Sequence, residues 1–239
     1  MVEGVFLVSL AHESGWEIEA LFLRAGTVPE ALDVPAGLAR STVPVFELGD
    51  GVMERVVSTE TGPPLVATVR IRVATIDALA AASLVLVGDK INDPGNAGTM
   101  LRSAEAAGAD VVVFTDGSVD VFNPKVVRSS AGALFAMPVV VDVTLADVSS
   151  IDGLRTLGTT SHADAGHSGE VTSYLAVDLT GRTAIVVGNE AHGLAADAPV
   201  DGWVSIPHAG RAESLNVAMA ATVLVFEAAR QRRAAAGTV

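Results

Sequence analysis

Residues 83–114 read SLVLVGDKINDPGNAGTMLRSAEAAGADVVVF. Two short apolar runs, Ser83–Val87 and Asp110–Phe114, have the length and β-branched content of buried strands. Between them a polar, turn-forming loop gives way to small and apolar residues at helical spacing, from about Gly95 to Ala107. Parallel strands need a crossover, and a helix is the usual one, so strand–helix–strand points to a parallel sheet. Downstream the alternation continues. Lys125–Ala133 predicts a helix, Pro138–Val141 a strand and Leu145–Leu154 a helix. Leu157–Ser161, Ala184–Val187 and Val204–Ile206 read as further short strands. A closing helix runs from Ser214, as N-cap, to about Arg233. Residues 78–239 are therefore expected to form an α/β domain with a mostly parallel sheet and helices on both faces.

Upstream the pattern is mixed. Glu3–Ser14 reads as a helix, Ile18–Leu23 and Val43–Leu48 as strands, Gly49–Ser58 as helical and Val66–Val73 as a β-rich run. Thr61-Gly62-Pro63-Pro64 is a strong breaker. Residues 1–77 are read as a separate small α/β unit, with eleven acids against five bases and no basic stripe.

Half of the 239 residues are apolar and 18% are charged, enough to bury a sizeable core. The apolar runs are too short to span a bilayer. Met1-Val2-Glu3-Gly4 carries no basic n-region, so no secretory signal is expected and a cytoplasmic protein fits best. With no cysteine, disulfides, thiolate metal sites and a cysteine nucleophile are excluded. A net charge of −13 argues against non-specific nucleic-acid binding, though not against local contacts. Arginines outnumber lysines thirteen to two, and arginine suits bidentate phosphate contacts.

Three segments put polar residues where strands end, the edge at which open α/β sheets bind ligands. The first is NDPGNAGTMLR, residues 92–102. As a turn with a helix cap it explains most of itself, but not Arg102, six residues beyond Asn96. The second is GNEAHGL, residues 188–194, where a glycine turn permits close approach to a ligand and places Glu190 at that edge. An ordinary strand-to-helix turn reads equally well, and His192 as an incidental surface histidine. The third is IPHAGRAESLNVAMAA, residues 206–221, with Asn216 oddly placed for a helix former. No GxxxxGK[ST] loop and no GxGxxG turn is present, which disfavours nucleotide triphosphatases and ordinary Rossmann oxidoreductases. His162, Asp164 and His167 lack a convincing further ligand, so no metal is expected.

Together and in this order, the three segments resemble the signature motifs of the SpoU (TrmH-like) family, N-P-G-N-x-G-x-x-x-R, G-N-E-x-x-G and I-P-x-x-G-x-x-x-S-L-N-V-A-x-A-A. The match runs from about Ser83 to Gln231. Asp93 departs from it, since an asparagine often precedes that proline. The resemblance implies a SPOUT-type sheet with a C-terminal trefoil knot, and S-adenosylmethionine-dependent 2′-O-methylation of a ribose in structured RNA, rRNA rather than tRNA. It implies cofactor contacts at Gly188, Ile206, Leu215 and Thr160, largely through backbone. It places Asn96, Arg102, Glu190, Ser214 and Asn216 in catalysis or ribose binding, and residues 1–77 in RNA binding. Within the family the Arg102 position is assigned as the base. A guanidinium is almost never deprotonated, so a phosphate clamp that stabilises alkoxide charge fits better. A homodimer is implied, with Arg102 serving the partner's site; Ala218, Ala221 and Val225, together with the helix after Asn96, are apolar enough to be expected in the interface. A non-catalytic RNA-binding or ribosome-assembly protein that keeps the fold is the alternative.

Overall fold

The computed structural model describes residues 1–58, 62–161, 170–211 and 213–237. Its order is β1 (Val2–Glu3), α1 (Val5–Glu13), β2 (Ile18–Arg24), α2 (Ala36–Ala39), β3 (Val45–Leu48), α3 (Met53–Val56) and β4 (Leu65–Val69). Then come β5 (Leu84–Gly88), α4 (Pro94–Ala107), β6 (Val111–Thr115), α5 (Pro124–Ser129), α6 (Ala133–Ala136), β7 (Val139–Val143) and α7 (Leu145–Ser149). The chain closes with β8 (Arg155–Thr160), β9 (Val171–Ser173), β10 (Thr183–Val187), β11 (Gly202–Ser205) and α8 (Val217–Ala235).

The first four strands form a mixed sheet in the order β1-β4-β2-β3. The remaining seven form a sheet ordered β7-β6-β5-β10-β8-β11-β9, and every pairing in it is parallel. Its central strands carry no polar face. All five residues of β5, β6 and β10 are buried, as expected of parallel strands covered on both sides. Alternate residues feed two cores. Leu84, Leu86, Phe114, Ile185 and Val187 pack with Leu101, Leu224 and Val225, while Val85, Val87, Val113 and Val186 pack with Val148 and Trp203. Because β10 lies between β5 and β8, and β11 between β8 and β9, the C-terminal loops of β10, β8 and β11 meet at one edge.

Helix α4 forms where the sequence places it. Asp93 caps it by accepting from the Asn96 amide at 2.9 Å, Pro94 opens it, and Gly108 ends it in the left-handed region at φ 79°. The departure at Asp93 thus supplies a good cap. Other boundaries differ. The helix expected over Lys125–Ala133 breaks into α5 and α6, since Ala131 and Gly132 adopt φ 51° and 96°. The Leu145–Leu154 helix stops at Ser149, and Gly49–Ser58 is helical only over Met53–Val56. Ser214 does not cap α8. Asn216 does, its Oδ1 accepting from the Ala218 and Met219 amides at 2.9 and 3.2 Å. The dimer face expected at Ala218, Ala221 and Val225 is also wrong, because all three are buried in the chain's own core against α4 and the sheet. The exposed side of α8 instead presents Met219, 55% exposed, and Phe226, 41% exposed. Their seven-residue spacing puts them on one helical face.

Candidate active site

The site is built at the C-terminal edge of the parallel sheet. After β10 the backbone turns sharply, with the Gly193 amide donating to the Asn189 carbonyl at 2.8 Å. Asn189 organises this turn. Its Oδ1 accepts from the Ala191 amide at 2.9 Å and its Nδ2 donates to the Lys90 carbonyl at 2.9 Å. Gly188 is where strand and returning loop touch: a Cβ there would lie 2.3 Å from the Gly193 carbonyl carbon and 2.4 Å from the Leu194 nitrogen. The glycine is required by this close approach of backbone to backbone.

Beneath the turn opens a cavity of roughly 320 Å³. Ile206, Leu215, Val187, Val204 and Val217 give it apolar walls, and Thr159, Thr160, Ser161, Glu190, His208, Glu213 and Ser214 bring polar groups. All four expected cofactor residues, Gly188, Ile206, Leu215 and Thr160, line this cavity, as do Glu190 and Ser214. His192 and His208 line it too. The sequence reading set His192 aside and gave His208 no role.

Asn96 and Asn216 lie beside the cavity, in a relay that joins all three polar segments. The Glu190 carboxylate accepts from the Asn92 and Asp93 amides at 3.2 and 3.1 Å and from Asn96 Nδ2 at 3.0 Å. Asn216 Nδ2 donates in turn to Asn96 Oδ1 at 3.0 Å. Both carboxylate oxygens of Glu190 are thus engaged within the chain. Burial raises its pKa, but the hydrogen bonds from Asn96 and from the Glu190, Asp93 and Asn92 amides outweigh that and hold it below the ordinary value. Glu190 is therefore an ionised latch, and a poor proton acceptor or donor at neutral pH.

A depressed carboxyl stabilises the fold above its unfolded pKa, and that contribution is lost as pH falls through the lowered value. The wild type should accordingly exceed Glu190→Gln in stability by a constant margin near neutrality. The margin should shrink below the ordinary glutamate value of 4.5. Denaturant titrations from about pH 7 to about pH 3 would show this, and a margin that widened on acidification would refute the latch.

Arg102 does not join the cluster. Six helical residues separate it from Asn96, about 9 Å along the axis and on another face. It is exposed and makes no hydrogen bond or ion pair among the described residues. Its neighbour Ser103 meets Thr222 of α8 at 2.7 Å, so Arg102 lies beside the helix that carries Met219 and Phe226. Among the described residues no group of His, Cys, Asp or Glu could hold a metal, and no helix is long and apolar enough to cross a membrane. His162, Asp164 and His167 lie outside the described residues.

Comparison with known proteins places the chain in a family. The SpoU rRNA Methylase family matches residues 83–226. The 23S rRNA (guanosine(2553)-2'-O)-methyltransferase RlmP of Bacillus subtilis is 34% identical over 229 residues, spanning 95% of this chain and 86% of that protein. The 23S rRNA (uridine(2479)-2'-O)-methyltransferase of Streptomyces viridochromogenes is 34% identical over 246 residues, spanning 97% and 83%. The crystal structure of the SpoU methyltransferase AviRb from Streptomyces viridochromogenes, in complex with the cofactor AdoMet, superposes with a TM-score of 0.79 at 30% identity, covering 98% of this chain and 90% of that one. The chain belongs to the SpoU rRNA methylase family.

Proposed function

We propose that this protein is an S-adenosylmethionine-dependent RNA 2′-O-methyltransferase that modifies a ribose of rRNA and works as a cytoplasmic homodimer. On this reading residues 1–77 recognise RNA, residues 78–239 catalyse, and the strand loops that meet at the cavity are tied in a trefoil knot. The observation that carries the proposal is the relay. Glu190, Asn96 and Asn216 come from three segments up to 120 residues apart and bond to one another beside one cavity, which Glu190 lines. RNA-modifying relatives that align over most of both chains support it.

The cavity suits the cofactor. Its volume fits a nucleoside joined to an amino acid. Apolar walls at Ile206, Leu215 and Val217 can sandwich a planar base, while strand-end backbone and the Thr160 and Ser214 side chains can meet hydroxyl and amino groups. When bound, S-adenosylmethionine supplies an electrophilic methyl group on a sulfonium. The chain's own task is to align a ribose hydroxyl and to stabilise the charge it develops. Asn96 and Asn216, fixed by Glu190, hold the edge of the site, and Ser214 lies at its mouth. Arg102 clamps the phosphate next to the reacting ribose and offers its guanidinium to the nascent alkoxide.

Calorimetry with S-adenosylmethionine tests this directly. Saturable one-site binding is expected, and its absence would favour the non-catalytic RNA-binding reading. In the same preparations Arg102→Lys should leave cofactor affinity unchanged while lowering kcat/KM on RNA by about tenfold or more, because a lysine cannot form the planar two-point clamp. Near-normal turnover in that variant would refute the clamp.

A further inference from the structure

Glu3 is a buried carboxylate that the chemistry does not use. It is 7% exposed and lies on the first strand of residues 1–77. One of its oxygens accepts from the Ser58 amide at 3.1 Å and from the Ser58 hydroxyl at 2.8 Å. The other pairs with Arg128 of α5 at 3.2 Å, and Arg128 also donates to the Ser58 hydroxyl. Every partner of this charge is therefore directional, and its two partners, Ser58 and Arg128, come from segments 70 residues apart.

The remaining contacts across the same boundary combine apolar packing with neutral hydrogen bonds. Trp16 meets Phe135 edge-on at 5.2 Å and donates from Nε1 to the Phe135 carbonyl at 3.0 Å. Leu10 packs over Gly132, where a Cβ would lie 2.3 Å from its Cδ1. The connecting segment is pinned where the Ala74 amide donates to Val139 at 2.9 Å. These contacts act at α6 and β7. The Glu3 and Ser58 bonds to Arg128 reach α5, and α5 is locked to the start of α4. Ser129, next to Arg128, donates to the Pro94 carbonyl at 3.0 Å, and Gly98 approaches Ser129 so closely that a Cβ would lie 1.9 Å from its hydroxyl. Helix α4 carries Asn96 and Arg102.

We propose that Glu3, Arg128 and Ser58 are positioning residues that fix residues 1–77 in register with α4, and so set which ribose of a bound RNA reaches the site. The inference rests on the reading of residues 1–77 as the RNA-recognition unit. An ion pair with its carboxylate buried suits this task better than an apolar contact. A small rotation breaks its hydrogen bonds and strands a charge, so the orientation is sharply defined.

The test uses the full-length protein with Glu3→Ala, the isosteric Glu3→Gln, and Arg128→Lys as the conservative variant. Three readouts separate positioning from mere stability. Cofactor affinity should stay within about twofold of wild type in all three, showing an intact catalytic half. On a long structured rRNA fragment, Glu3→Ala and Glu3→Gln should lose about tenfold in kcat/KM, chiefly through KM, with methylation spreading to neighbouring riboses. Arg128→Lys, which keeps the charge opposite Glu3, should lose less than either Glu3 variant. On a short oligonucleotide around the target ribose all variants should match wild type. Because the chain has no cysteine, spin labels at Arg40→Cys and Glu105→Cys, both exposed, can report the distance between the units. That distribution should be narrow in the wild-type background and broad with Glu3→Ala. Unchanged kcat/KM and methylation pattern in both Glu3 variants would overturn the proposal. So would equal losses on long and short RNA with an unchanged distance distribution. If the wild type itself treats long and short RNA alike, the recognition role of residues 1–77 fails, and this inference with it.

Discussion

An Arg102→Ala protein and an Asn216→Asp protein, each expected to be at least a hundredfold impaired alone, should regain activity when co-expressed. The reason lies in where the two residues sit. Asn216 bonds to Asn96 at the cavity, and the aspartate keeps the oxygen that caps α8 while losing the donor to Asn96. Arg102 is exposed on another face of α4, unpaired among the described residues and beside the apolar stripe of α8. On the proposed reading this guanidinium serves the partner's site. A two-fold pairing through Met219 and Phe226 would carry it to the partner's cavity. In a heterodimer one site then holds both lesions and the other holds neither. With random assortment half the dimers are mixed, so activity should return to about a quarter of wild type. If Arg102 acted in its own chain, every mixed site would keep one lesion and no recovery would appear. Differently tagged subunits, purified through both tags, establish that heterodimers are being assayed.

Gly188→Ala should abolish cofactor binding, with a loss of about a hundredfold or more in affinity, and should cost some stability. Its added carbon meets backbone, not a flexible side chain, at 2.3 to 2.6 Å from Gly193 and Leu194. The turn must open to admit it. Opening displaces Asn189 and Glu190, and with them the hydrogen bonds to Lys90, Asn92, Asp93 and Asn96. The cavity wall and the latch therefore fail together. Gly193→Ala is the informative contrast. Its Cβ would meet nothing within 4 Å, although φ there is 65°, so it should cost only the strain of a left-handed alanine, about 1 kcal/mol. Calorimetry on both variants, with circular dichroism to confirm folding, checks the pair. Wild-type affinity in Gly188→Ala would place the cofactor elsewhere.

The parts legible in the sequence were those with local causes. The buried strands β5, β6 and β10 follow from unbroken apolar runs, and α4 from Pro94 after a capping residue. Where the reading failed, the cause was tertiary or a subtle backbone turn. Ser214 looked like the better N-cap by type, but the Asn216 side-chain Oδ1 is the one aimed at the first amides. The break between α5 and α6 depends on Ala131 in the left-handed region, which no alanine advertises. Strand β9 is only half-buried, and β1 is two residues long. Ala218, Ala221 and Val225 looked suited to a partner because they are small and apolar, and their own core uses them for the same reason. In the site, Gly188, Thr160, Glu190, Ile206, Ser214 and Leu215 line one cavity, while the bonds that join the segments were not legible. Nothing local says that Glu190 will accept amides from Asn92 and Asp93, almost a hundred residues away, and so act as a latch.

The central claim is a methyl transfer to a ribose hydroxyl of rRNA. Purified protein, radiolabelled S-adenosylmethionine and rRNA from cells lacking the gene provide the most direct test. Alkaline hydrolysis distinguishes the outcomes, since a 2′-O-methyl group blocks cleavage at the neighbouring phosphate. Label is expected in a single alkali-resistant dinucleotide, absent with Gly188→Ala and with Arg102→Ala. Label in bases, in alkali-sensitive nucleotides, or in no rRNA at all would contradict it.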